Sequence, residues 1–439
     1  MYYFIEKSKT TKLILLFALA LTFVMGCKKD NPAGNDDPVS YKAYTSHTLL
    51  ATRTAFSIKT LFQNLEVFYP EAAEITNKVE YDVEVYEVTY KTIFLGEEIE
   101  ASGLVCIPVA DGISFPIISF QNGTNTAHDE APTKDVNGIG FSYLESGAGI
   151  GNIVIIPDYI GFGKSEQFVH PYLHKESTVL SVENLIIAAQ EMMDNKLISA
   201  QWNSKLYLMG YSQGGWSTLC THKDIANNSG SGLSVTATAC GAGPYDLSLV
   251  QHFMIDGVTY PQPVYMAYSM ISYLSLGIVS NPVTDFFNEP YATPLPSYFE
   301  GQYSNGEINA LLNDTVAVLL ADEFLTGMDS DAKYEDLRKG LSDNSVHGWN
   351  TAQSIRIYHG TIDNYVPPTT SDQLIQEFAD AGAGDKVTYI PLEGLDHGTA
   401  AFPMILDALI WFDNLESGLK DNRSAYIKTD GSKPQFIFE

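Results

Sequence analysis

Lys205-Leu206-Tyr207-Leu208-Met209-Gly210-Tyr211-Ser212-Gln213-Gly214-Gly215-Trp216-Ser217 is the stretch on which the fold turns. An apolar run, a Gly-x-Ser-x-Gly turn at 210–214 and a helix-compatible segment follow one another. A chain that leaves a strand, turns sharply and enters a helix needs glycines where backbones pass closely, and it presents the turn residue at a helix N-terminus. There the first backbone N–H groups and the helix dipole favour negative charge. Ser212 is therefore the candidate nucleophile, and the N–H of Gln213 is one candidate donor for an oxyanion.

Working outward, short apolar runs recur at Pro116–Phe120, Asn152–Ile156, Lys205–Met209, Val235–Ala239, Ser354–Tyr358 and Val387–Pro391. Helix-length segments separate most of them. Continuous apolar strands between helices predict an α/β fold with a mostly parallel central sheet and helices on both faces. Functional loops then belong at the C-terminal ends of the strands. Upstream, Tyr81–Tyr90 alternates with period two, and Leu95-Gly96-Glu97 turns into Ile99–Ile107, which predicts an antiparallel opening hairpin. Residues 44–66 read as helical in places. Pro244 to Asn350 is too long for a loop and rich in Tyr, Phe, Met, Leu and Pro, with helical patches at Val264–Leu276 and Val316–Phe324. It is expected to be an inserted helical cap, a separate domain being the alternative. The expected organisation is thus core at 44–243 and 351–425, cap at 244–350 and a C-terminal tail at 426–439.

A serine hydroxyl needs a base. Of nine histidines, His397 follows the last apolar strand and precedes a helix, in Asp396-His397-Gly398. His359, in His359-Gly360-Thr361-Ile362-Asp363, reads as structural. The acid that orients the base is expected to be Asp363, just after the strand Ser354–Tyr358. Asp396 adjoins His397 too closely in sequence to face it, and Asp385 precedes a strand. The second oxyanion donor is expected on Phe120-Gln121-Asn122-Gly123-Thr124-Asn125, at Gly123 or Thr124, with Asn122 also open. Gly123 is expected to supply unusual backbone angles. His170 and His174 have helical spacing but no convincing third ligand, so no metal is expected. Gly161-Phe162-Gly163-Lys164-Ser165 ends like a phosphate-binding loop, yet Asp158 stands where that pattern needs glycine.

These motifs resemble the α/β-hydrolase superfamily over most of residues 80–417, and within it secreted lipases and esterases with a helical cap. The carrying residues are Phe120–Thr124, Pro157-Asp158-Tyr159, Gly210–Gly215, Gly243-Pro244-Tyr245-Asp246, His359–Asp363 and Asp396-His397-Gly398. The resemblance implies acyl-ester hydrolysis without a cofactor and the same three residues, Ser212, Asp363 and His397. It also implies that Asp158 is structural. Asn122 departs from the His that many relatives carry before the glycine. A peptidase, an acetyl or feruloyl polysaccharide esterase, and an inactive binding lipoprotein are the alternatives.

Lys7, Lys9 and Lys12 precede an apolar run, Leu13 to Met25, too short to span a bilayer as a helix. It closes on Gly26-Cys27, which resembles a lipoprotein signal, despite Met25. Residues 1–26 are then a signal peptide, Cys27 the lipidated residue, and 27–43 a tether. The chain is expected to be exported to a bacterial cell envelope and to touch membrane only through that anchor. A net charge of −28 argues against nucleic acid as partner, and a small-molecule or lipid ester is expected instead. Cys106, Cys220 and Cys240 sit in apolar surroundings and are expected as buried free thiols.

Overall fold

The computed structural model describes residues 42–419, 426–428 and 435–437. Cys27, the signal segment and most of the expected tether lie outside the described residues. No described helix is long and apolar enough to cross a membrane.

The strands are β1 (Tyr44–Arg53), β2 (Val83–Phe94), β3 (Glu97–Pro108), β4 (Ser114–Gln121), β5 (Ile153–Pro157), β6 (Gln201–Tyr211), β7 (Ala237–Gly241), β8 (Ser354–Gly360), β9 (Val387–Leu392), β10 (Tyr426–Lys428) and β11 (Gln435–Ile437). They form one sheet in the order β1-β2-β3-β5-β4-β6-β7-β8-β9-β10-β11. From β5 through β4, β6, β7, β8 and β9 to β10 neighbouring strands run parallel. The β2–β3 hairpin is antiparallel through Phe94↔Glu97, and its turn residues Leu95 and Gly96 both have positive φ, 51° and 83°, the geometry that favours tight hairpins. The runs inside the sheet are continuously apolar because helices cover both faces: all five residues of β5 and of β7 are buried.

The helical expectation for 44–66 holds only from Ala55. Residues 44–53 form edge strand β1 instead, paired antiparallel with β2. Its register shifts twice, between Tyr44/Ser46 and Leu49/Ala51. Such irregularities break the period-two pattern by which a strand is recognised. Residues 426–428 and 435–437, expected as tail, add β10 and β11 beside β9.

Between β7 and β8 run the helices Leu247–Ile255, Pro263–Ser275, Asn305–Leu311 and Glu335–Asn344, with shorter turns. The patch expected as one helix at Val316–Phe324 is two short ones, Val316–Leu319 and Asp322–Gly327. Tyr260, Val264, Tyr268 and Phe299 of this insertion join one buried cluster with Trp216, Cys240, Ile355 and Ile357 of the sheet and its helices. The insertion therefore shares a hydrophobic core with the layer that carries Ser212. Cys106, Cys220 and Cys240 are buried free thiols.

Candidate active site

The turn between β6 and the helix Gln213–Asn227 holds Ser212 at φ 61°, ψ −125°, a strained region for a residue with a Cβ. Its N–H donates to the Gly241 carbonyl at 2.9 Å. The glycines around it are sterically required. A Cβ at Gly214 would lie 1.9 Å from Gln121 O, one at Gly210 2.4 Å from Gly214 O, and one at Gly215 2.4 Å from Gly241 O. Parallel pairing of β4, β6 and β7 brings these backbones together, and the glycines let the helix descend between the ends of β4 and β7.

The loop after β8 and the helix start after β9 deliver the partners. His397 Nε2 lies 2.9 Å from Ser212 Oγ, and its Nδ1 lies 2.6 Å from Asp363 Oδ2. Asp363 Oδ1 accepts from the N–H groups of Tyr365 at 2.9 Å and Val366 at 3.0 Å. Burial alone would raise the Asp363 pKa, but hydrogen bonds from His359 and His397 hold it well below the usual carboxylate range. Asp396 turns away. Its Oδ1 accepts from Thr399 N at 2.8 Å and from Thr399 Oγ1 at 2.7 Å, capping the helix His397–Glu416. Sequence separations of 185 and 34 residues thus close into one serine–imidazole–carboxylate line.

The loop expected to carry the second backbone donor lies against this turn, since Gln121 pairs with Gly210. Gln213 opens its helix, where the N–H has no intrahelical partner by position. The reason expected for Gly123 is corrected. Gly123 is not among the positive-φ residues, and a Cβ there would meet only Tyr211 O at 3.8 Å. The loop is wide enough at this point for ordinary backbone angles to suffice. Thr124 Oγ1 donates to Tyr172 OH at 3.1 Å, while Asn305 Nδ2 donates to Thr124 O at 2.6 Å. Asn122 is buried with Oδ1 unpartnered.

Two structural readings hold and one contact was not legible in the sequence. Asp158 accepts from Ser102 Oγ at 2.6 Å, Thr133 N at 2.9 Å and Thr133 Oγ1 at 2.7 Å, and a Cβ at Gly163 would strike it. That loop wraps a buried carboxylate. His359 is fully buried between Ser371 Oγ at 2.7 Å and Val366 O at 3.0 Å. His170 Nδ1 bonds the Ile160 carbonyl at 2.6 Å and its Nε2 accepts from Gln213 Nε2 at 2.9 Å, so both ring nitrogens are engaged and the ring braces the residue after Ser212. His174 Nδ1 instead meets Ser177 Oγ at 2.9 Å. Among the described residues no cluster of three or more His, Cys, Asp or Glu could hold a metal.

A small, partly open pocket lies beside Ser212, with Tyr172, Leu173, Pro244, Leu247 and Val366 in its walls.

Sheet order, strand-end loops and insertion define the α/β-hydrolase fold. Solved structures with this architecture include a protein from Legionella pneumophila assigned as a hydrolase, at TM-score 0.76 and 24% identity over 85% of this chain and 98% of that one. The rice cell wall degrading esterase LipA from Xanthomonas oryzae, in a ligand-bound form, matches at TM-score 0.74 and 22% identity, over 87% of this chain and all 100% of that one. Candida antarctica lipase A in its closed state matches at TM-score 0.63 and 15% identity, over 87% and 86%. No protein-family model matches the sequence, and no curated protein matches it.

Proposed function

We propose that the protein is a serine hydrolase that cleaves carboxylic esters through an acyl-enzyme. The observation that carries this is the unbroken line Ser212 Oγ–His397–Asp363 at 2.9 and 2.6 Å on a strained strand-to-helix turn. His397 Nε2 takes the Ser212 proton as Oγ attacks the ester carbonyl, and Asp363 holds the imidazolium that forms. The oxyanion of the tetrahedral intermediate is received by the Gln213 N–H and by a backbone N–H of the Gly123–Thr124 loop. Collapse expels the alcohol, which collects the proton from His397. Water, deprotonated by the same imidazole, then attacks the acyl-enzyme and releases the acid. The reaction consumes ester and water and calls on no cofactor.

The insertion 244–350 acts in this reading as a cap whose apolar side chains wall the substrate pocket. The esterase and lipase among the structural neighbours favour ester over peptide cleavage. A polysaccharide ester is the second reading, favoured by the likeness to the cell wall degrading esterase. For location, the Lys-rich start, short apolar run and Gly26-Cys27 support export and lipidation at Cys27 in a bacterial cell envelope.

The test is a panel of p-nitrophenyl esters of graded length, beside acetylated sugars and peptide substrates, assayed with the wild type and with Ser212→Ala. Ester turnover that disappears in Ser212→Ala supports the proposal. Fast peptide cleavage with negligible rates on every ester would overturn it.

A further inference from the structure

The pocket beside Ser212 has a buried polar side chain for which the described residues provide no partner. The helix Leu247–Ile255 is started by Asp246, whose Oδ1 accepts from Ser248 N and Leu249 N at 3.0 Å each. From there Leu247, Val250, Gln251 and Met254 fall at i, i+3, i+4 and i+7 on one stripe, and all four line the pocket. Gln251 alone on that stripe is polar. Its side chain is buried, 6% exposed, and among the described residues nothing hydrogen-bonds its amide. Of the other polar side chains at the wall, Ser269 Oγ donates to Met266 O at 3.0 Å and Tyr172 OH accepts from Thr124 Oγ1 at 3.1 Å, while the hydroxyl of the half-buried Tyr265 makes no hydrogen bond among the described residues either.

A primary amide carries two donors and one acceptor. No group among the described residues satisfies them, and the pocket that Gln251 lines is where a bound molecule could. A plain alkyl chain seated there strips the amide of water and returns no hydrogen bond, which is unfavourable by more than a bond made and kept is favourable. A chain bearing a hydroxyl at the right carbon keeps the amide paired while its methylenes pack on Leu247, Val250 and Met254. We propose that Gln251 is a specificity-determining residue that hydrogen-bonds a hydroxyl on the acyl group, so that hydroxyacyl esters are preferred over plain alkanoyl esters. The inference rests on Ser212 being the nucleophile of an ester hydrolase.

The experiment compares kcat/KM for methyl hexanoate, methyl 3-hydroxyhexanoate and methyl 6-hydroxyhexanoate, with acid release followed by titration. The enzymes are the wild type, the nearly isosteric Gln251→Met, and Ser212→Ala. Wild type is expected to prefer at least one hydroxy ester by on the order of five- to tenfold, the size of one hydrogen bond. In Gln251→Met the ratio of kcat/KM for the hydroxy ester to that for methyl hexanoate should fall to about one. Because the preference is first read in the unaltered protein, a variant that fails to fold does not remove the test. Ser212-dependent cleavage of all three esters at equal rates would overturn the role of Gln251 and leave the ester-hydrolase reading standing. So would a hydroxyl preference that survives in Gln251→Met. No cleavage of any ester by the wild type would overturn both.

Discussion

His359 Nε2 stands 3.3 Å from Asp363 Oδ2, the same oxygen that His397 Nδ1 approaches at 2.6 Å. The carboxylate is thus held between two imidazoles, one facing Ser212 and one fully buried behind it. With Val366 O accepting from Nε2–H, His359 is the Nε2–H tautomer and Ser371 Oγ donates to Nδ1. His359→Ala removes the rear hydrogen bond and leaves Ser371 unpaired. The variant is expected to be destabilised by about 2 kcal/mol. Its kcat/KM should fall by on the order of tenfold, through looser aim of Asp363. Urea unfolding and ester kinetics on the same preparation measure both, and unchanged values of each would refute this role.

Asp363 itself is expected to matter far more. Asp363→Asn offers His397 an amide in place of a carboxylate, and its NH2 group can face Nδ1 as a donor. The imidazole then takes the tautomer that cannot accept the Ser212 proton. A fall in kcat on the order of 10⁴-fold is expected, with KM changed little, because Asp363 contacts no substrate. Stopped-time assays on a p-nitrophenyl ester suffice, and retention of a tenth of the wild-type kcat would exclude Asp363 as the orienting acid.

Two glycines that look alike in the sequence should behave oppositely. Gly214→Ala places a methyl 1.9 Å from the Gln121 carbonyl, with backbone on both sides of the clash. Gly123→Ala meets nothing nearer than Tyr211 O at 3.8 Å and needs no left-handed angle. The first is expected to cost at least 3 kcal/mol or to prevent folding. The second should stay within about 1 kcal/mol of wild type. Thermal unfolding of both variants decides it, and equal losses would contradict the packing described here.

How far the sequence reaches follows from the range of each signal. The strands of the parallel sheet were legible because burial on both faces leaves unbroken apolar runs, such as Ile153–Ile156 and Leu206–Met209. The Ser212 turn was legible because its chemistry is local: strand, glycines and helix are contiguous. Strand β1 was not, because its register shifts blur the alternation and neither face is continuously buried. Candidates for the other two site residues could be ranked by their place at strand ends, but only the three-dimensional packing brings His397 to both partners. Contacts such as Gln213 to His170, 43 residues apart, or the shared use of Asp363 by two histidines have no sequence signature. Gly123 misled because glycine there suggested strained angles, whereas the loop has room for ordinary ones.

The buried His170 ring ties stability to pH. Burial pushes its pKa down to about 4, against the smaller raising effect of the Ile160 carbonyl. In the unfolded chain it titrates near ~6.5. As pH falls below that value the unfolded state takes up a proton that the native ring refuses until about pH 4, so native stability is lost progressively across this window. Fully developed, the effect is about 3 kcal/mol. Burial lowers the His222 pKa to about 4 as well and acts in the same direction. Glu145, raised to about 7 mainly by burial, and Glu183, raised to about 8 by burial and Asp224, act oppositely. The whole-protein profile is therefore a mixture, and the contribution of His170 must be read by difference. His170→Met loses the bonds to Ile160 and Gln213 and is expected to be less stable than wild type at pH 7. That deficit should shrink by about 2 kcal/mol at pH 4.5, because the wild type alone carries the refused proton. Denaturant unfolding of both proteins at the two pH values gives the comparison, and a deficit that stays constant would show that this ring does not remain neutral in the folded state.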